Sequence, residues 1–208
     1  MRNLLAAMVA VVLSCSTLSA QTLKEKTSFG FKAGVNISTF RTAIDYQNFK
    51  PAVKLGQVFG GFVQIPVSSR FIIQPEFLYS QLGAKTESQF WGEATFRYNY
   101  FSIPVLVKYK LISTWNVFAG AEADFLIRAR QKQSLKTSTI TNDIKDFDFA
   151  YTAGFGTAGP RWIFDARYIH GSQDVSPSAG ENTFFNQAVQ LTLGYKLLKK
   201  AAKATMAK

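Results

Sequence analysis

From Trp115 onward the chain alternates. Trp115, Val117, Ala119, Ala121, Ala123, Phe125 and Ile127 share one parity, while Asn116, Gly120, Glu122, Asp124 and Arg128 share the other. A period of two predicts a strand with unlike faces. The run outlasts an ordinary strand of about 5–6 residues. Its polar face also carries Glu122, Asp124 and Arg128. A soluble sandwich would turn that face to water. A membrane barrel would turn it into a lumen and give the apolar face to lipid.

The same alternation predicts eight strands, at 28–38, 55–67, 71–81, 94–110, 115–128, 147–158, 161–170 and 184–197. In the fourth, Phe96, Tyr98 and Tyr100 oppose the parity of Ile103, so a bulge near Phe101 and Ser102 is expected. Pro75 and Pro104 each remove a ladder donor, and bulges are expected to absorb the loss. Tight breaks at 68–70, 111–114 and 159–160 alternate with long polar connections at 39–54, 82–93, 129–146 and 171–183. Outer-membrane barrels have this pattern, with long loops extracellular and short turns periplasmic. An even strand number then puts both termini in the periplasm. No helical periodicity flanks a strand, which excludes βαβ folds. Lipid offers no hydrogen bonds, so the sheet must close. The expected fold is an all-β, eight-stranded antiparallel up-and-down transmembrane β-barrel, acting as a monomer.

A barrel of eight strands has an interior just wide enough for side chains to fill. The inward parity collects Lys32, Gln64, Gln74, Glu76, Lys108, Glu122, Asp124, Arg128, Asp148, Asp165, Arg167, Gln190 and Lys196. Their opposite charges suit a polar network that plugs the bore, since buried charges need partners. A polar pore is the competing reading, and the narrow bore disfavours it.

Composition adds compartment and excludes some partners. The 208 residues carry a formal charge of +11, with 19 Phe and 8 Tyr. Lys196, Lys199, Lys200, Lys203 and Lys208 cluster at the C-terminus, so much of the basicity belongs to a tail. No basic helix or stacking platform accompanies it, and nucleic acid is not an expected partner. Arg2, the apolar run 4–13 and the small residues 18–20 read as an export signal cleaved before Gln21. The barrel then occupies 21–197 and a basic periplasmic tail 198–208. Cys15, the only cysteine, falls in the leader, where it loosely fits a lipidation site and better fits a residue that is removed.

Several segments carry a resemblance. They are Phe29-Gly30-Phe31-Lys32-Ala33-Gly34-Val35-Asn36, the run from Phe71 to Ser80 (FIIQPEFLYS), and the run from Phe101 to Tyr109 (FSIPVLVKY). Gly154-Phe155-Gly156, Asp165-Ala166-Arg167-Tyr168 and Leu191-Thr192-Leu193-Gly194-Tyr195-Lys196 complete the set. Together they resemble the outer-membrane β-barrel domain widespread in Bacteroidetes, often called PorT-like. The resemblance covers essentially all of the chain after the leader. It implies the barrel fold and the outer-membrane compartment, and it makes the two prolines family features. It implies little about activity. The chain departs from the pattern by continuing past Leu197 as KKAAKATMAK, where members usually end on an aromatic residue.

Candidate chemistry is sparse. His170 is the only histidine, and Ser172 lies two residues on. A His-x-Ser pair at the extracellular end of a barrel strand resembles lipid A deacylases. That resemblance implies Ser172 as nucleophile, His170 as general base and Glu181 as the orienting acid. A surface histidine followed by a Gly-Ser turn is the plainer reading. Asp143, Asp146 and Asp148 could approach a cation, but Lys145 between them favours a solvated loop. No metal or other cofactor is expected. The expected function is a non-enzymatic outer-membrane barrel. Its loops would make surface or partner contacts, or serve envelope or secretion assembly. The expected partners are outer-membrane lipid and lipopolysaccharide, with envelope proteins at the loops.

Overall fold

Alternating polarity makes strands here because every strand meets unlike surroundings on its two faces. The computed structural model describes residues 27–42, 50–88, 92–133, 136–141, 144–157, 159–176 and 183–197. The expected leader and tail, residues 1–20 and 198–208, lie outside them.

Eight long strands form the wall: β1 (Ser28–Thr42), β3 (Lys54–Pro66), β4 (Phe71–Leu82), β6 (Gly92–Lys110), β7 (Trp115–Gln133), β9 (Phe147–Thr157), β10 (Trp162–Gly171) and β11 (Phe184–Leu197). Each pairs antiparallel with its sequence neighbour in that series. Pairing of β11 with β1, from Phe29 opposite Leu197 to Thr42 opposite Phe184, closes the cylinder. Three short strands, β2 (Lys50–Ala52), β5 (Lys85–Ser88) and β8 (Lys136–Thr139), sit at the long-loop end. They pair beside the ends of β6 and β7, so a sheet ordered β2-β5-β6-β7-β8 projects from one side of the rim.

The barrel is apolar outside and polar inside. Phe31 is 64% exposed and Leu55 70%, whereas Glu76 and Glu122 are fully buried. In water such an outer surface would be a large uncovered apolar patch; in a bilayer it is the lipid face. Two rows of aromatic rings bound it. Towards the short turns, Phe71 packs on Tyr109 at 5.1 Å, Trp115 on Phe155 at 6.3 Å and Trp162 on Tyr195 at 5.0 Å. Towards the long loops, Phe59–Tyr79 and Phe125–Phe147 flank Phe101, which lies opposite both Tyr79 and Phe125. From Tyr109 to Phe101 is roughly 26 Å of strand, or about 20 Å of height at a tilt of ~40°. That height suits the apolar band of about 25 Å typical of such barrels.

Three sequence expectations change. No bulge interrupts β6 near Ser102. Tyr98, Tyr100, Ser102 and Leu106 all face inward and are fully buried, so the inward row runs unbroken along the strand. The register shift falls opposite, where Asn99 pairs with Arg128 and Tyr100 with Leu126, leaving Ile127 as the extra residue on β7. That one residue inverts the parity beyond it. Arg128, expected in the lumen, is therefore exposed on the outer face, and Ala129 points in. The prolines also need no bulges. The β4–β6 ladder lapses at Glu76–Pro104 and Phe77–Ile103, and its register is the same on both sides of the gap.

Candidate functional site

The lumen is filled in three layers. At the short-turn end Phe62, Ile72, Phe118 and Ile163 close the bore. Gly30 and Gly194 admit them. A Cβ on Gly30 would sit 2.3 Å from the Phe62 ring, and one on Gly194 2.7 Å from the Ile163 side chain.

The middle layer carries the charges. Lys32 Nζ lies 2.7 Å from Glu76 Oε1 and 2.9 Å from Asp165 Oδ2. Lys108 Nζ donates to Asp165 Oδ1 at 2.8 Å, and Arg167 Nη1 to Glu76 Oε2 at 3.0 Å. Arg167 Nη2 reaches Glu122 Oε2 at 3.8 Å. These side chains come from β1, β4, β6, β7 and β10, so the bonds cross the bore and tie walls that share no ladder. Gln64 Nε2 donates to Gln74 Oε1 at 2.8 Å, and Gln74 Nε2 donates to Glu76 Oε1. Ser102 Oγ donates to Asp124 Oδ1. The Lys108 ammonium stands 4.7 Å from the Phe118 ring centroid, which joins the charged layer to the apolar stopper below it. Further up, Gln190 Nε2 donates to Asn36 Oδ1 at 2.7 Å, and Asn186 Nδ2 donates to Asp148 Oδ2 at 3.0 Å.

The third layer is apolar and aromatic, at the long-loop end. Phe40 packs on Phe96, Tyr98 and Phe184 with centroids 5.6–5.8 Å apart. Tyr100, Leu82, Ile140, Ile144, Ile169 and Val175 complete the cluster. Tyr98 Oη donates to Val175 O at 3.2 Å, which fastens the segment after β10 over the bore. Residues from the long connections thus cap the charged layer. The sequence signal for this cap was the unbroken parity of Phe96, Tyr98, Tyr100 and Ser102, which the assumed bulge concealed.

The structure therefore gathers Lys32, Gln74, Glu76, Lys108, Glu122, Asp124, Asp165 and Arg167 into one middle layer. It sets Asp148 nearer the cap and leaves Arg128 outside. His170 faces outward, half-buried beside Tyr168, at 6.2 Å between ring centroids. The Ser172 hydroxyl donates to Phe149 O at 2.6 Å rather than to His170. Glu181 lies outside the described residues. Of the acids considered for a cation, Asp146 is exposed while Asp148 is buried against Asn186, so the two do not converge, and Asp143 lies outside the described residues. Among the described residues no group of three His, Cys, Asp or Glu side chains could hold a metal ion.

On the outer face of the projecting sheet a groove of about 410 Å³ is lined by Thr95, Arg97, Arg130, Lys132 and Thr137. Arg97 and Arg130 are direct cross-strand partners.

A family model described as outer membrane protein beta-barrel domain matches residues 19–175. No curated protein matches the chain by sequence. Among solved structures, Neisserial surface protein A (NspA) aligns with a TM-score of 0.52 at 12% identity, covering 83% of this chain and 99% of that one. Ail of Yersinia pestis, solved in complex with the heparin analogue sucrose octasulfate, aligns at 0.47 and 13% identity, covering 83% and 100%. OprG of Pseudomonas aeruginosa aligns at 0.42 and 12% identity, covering 83% and 95%. At these identities the likeness concerns the fold.

Proposed function

Because this chain belongs to the outer membrane protein β-barrel domain family, we propose that it is a sealed, non-enzymatic outer-membrane barrel that works through its long-loop end. The observation that carries this reading is the filled bore. Apolar side chains close both ends of a charged layer whose groups bond to one another across the lumen. A transport pathway needs a lumen that solute or water can occupy, and this one is occupied by side chains. What remains for interaction is the projecting sheet of β2, β5, β6, β7 and β8 beyond the upper aromatic row. The resemblance of the FIIQPEFLYS and FSIPVLVKY segments supports the narrower PorT-like assignment. It also supports a role at the cell surface or in envelope and secretion assembly. In this reading the long loops are extracellular, both termini are periplasmic, and residues 1–20 are removed on export.

The engagement of the Ser172 hydroxyl with a backbone carbonyl disfavours lipid A hydrolysis. The orientation and the surface role are tested together by single cysteines at Ser138 and Ser69, labelled on intact cells with a membrane-impermeant maleimide. Cysteine at 138 is expected to label on intact cells, and cysteine at 69 only after permeabilisation. Labelling of 69 alone on intact cells would overturn the orientation and with it the surface role.

A further inference from the structure

We infer that the outer face of the β6–β7 extension is a binding site for the phosphate groups of a phosphorylated glycolipid in the surrounding leaflet. The carrying observation is electrostatic. Arg97 on β6 and Arg130 on β7 face each other directly across the ladder, on the same side of the sheet. Like charges in that position repel and destabilise the pair. Arg128 and Lys132 extend the cluster along β7 on the same outer side. None of the four takes part in an ion pair among the described residues, and the residues lining the groove include no acid. Among the described side chains, no ion pair supplies the cluster with a counter-charge.

Height supplies the second argument. Arg97 lies four residues beyond Phe101, the β6 member of the upper aromatic row. Four residues of tilted strand raise it about 10 Å above that row, which is headgroup level rather than hydrocarbon. A membrane partner at that level presents phosphates laterally, towards the barrel wall. Two guanidinium groups side by side suit it, because arginine binds phosphate through two parallel hydrogen bonds. Thr95 and Thr137 add hydroxyl donors at the edges of the groove, and its volume of about 410 Å³ accommodates a phosphosugar. A soluble anion would meet the same charges, but only a lipid headgroup is held at this height by the bilayer itself.

The inference rests on the outer-membrane reading above, and its test does not depend on which end faces out. The full chain is reconstituted in phosphatidylcholine vesicles, with and without bis-phosphorylated lipid A in both leaflets. The readout is the midpoint of heat-induced loss of the folded gel mobility. Lipid A is expected to raise the midpoint of the native chain in a dose-dependent way. The double variant R97A/R130A is expected to need roughly thirtyfold more lipid A for the same rise, about fivefold for each charge removed at an anionic surface. Its midpoint in phosphatidylcholine alone should match or exceed the native value, because a repulsive pair is gone. The variant R97K/R130K, which keeps the charge and loses the two-bond geometry, should fall between them. The inference is overturned if the double variant responds to lipid A as the native chain does. It is also overturned if dephosphorylated lipid A raises the midpoint equally, or if inorganic phosphate added to phosphatidylcholine vesicles reproduces the rise.

Discussion

Lys32 Nζ lies 2.7 Å from Glu76 Oε1 although the whole of β3 runs between the strands that carry them. The bond spans the bore instead of the wall. Together with Lys32–Asp165 and Lys108–Asp165 it makes the barrel a cross-braced solid whose interior cohesion is ionic. Charges buried so completely hold only as a set, because each carboxylate compensates cations from other strands.

Asp165 is shared by Lys32 and Lys108, and it is the carboxylate that Lys108 pairs with. Replacing Asp165 with Asn leaves two buried ammonium groups short of a partner, and a destabilisation of about 3–5 kcal/mol is expected. Urea unfolding of the protein refolded in phospholipid vesicles measures it. Adding Lys108→Met to Asp165→Asn should restore part of the loss. A double variant less stable than D165N alone would show that Lys108 does not depend on Asp165.

The aromatic cap makes a separate contribution. Phe40→Ala removes the ring that touches Phe96, Tyr98 and Phe184 at once. A loss of about 3–5 kcal/mol is expected for a buried phenylalanine. The charged layer beneath is built from other residues, so the variant should remain non-conducting once folded. Conductance appearing in F40A would mean that the cap alone closes the bore.

How much of this was legible in the sequence follows from where parity is kept. Lys32, Glu76, Asp165 and Arg167 keep their strand's alternation, so their inward placement could be read directly. Arg128 could not be placed, because the extra residue at Ile127 lies in a run whose polarity pattern looks regular on both sides of it. Tyr98 and Tyr100 misled for a chemical reason. Aromatic residues suit lipid interfaces and lumen caps equally, so residue type did not tell the two faces apart. Nor does sequence show which cation meets which carboxylate across a bore, since those contacts join residues as far apart as Lys32 and Asp165. The outward-facing pair Arg97 and Arg130 went unnoticed because its two members lie on different strands.

Gly83 ends β4 with φ of +132°, a conformation that side chains rarely adopt, and a Cβ there would sit 2.2 Å from Phe96 O. Its own carbonyl accepts from Ser38 Oγ at 2.8 Å. Gly83→Ala is expected to cost on the order of 1–3 kcal/mol. It should also loosen the β5–β6 pairing, seen as faster amide exchange in residues 85–88. Unchanged exchange and stability would show that this turn tolerates a side chain.

The segment after β10 supplies a pH dependence. Burial pushes the Asp174 carboxyl up, but the Ser176 hydroxyl, the Ser176 and Phe184 amides and the Lys145 charge outweigh it and hold the carboxyl below its ordinary range. A lowered carboxyl contributes order that is fully present above the unfolded value of about 3.9 and is lost as pH falls below it. Amide protection at Ser176 and Phe184, corrected for intrinsic exchange, should therefore be constant above about pH 5 and decline below about pH 4. In Asp174→Asn the protection should be low throughout and nearly independent of pH. The same decline in the asparagine variant would assign it to another group.

The central claim is that side chains seal this barrel. Ion conductance of the purified, refolded chain in planar bilayers tests it most directly. The expected record stays at the baseline of protein-free membranes at moderate voltage, in the presence of demonstrably inserted protein. Steady, resolvable single-channel steps from the native chain would contradict the account.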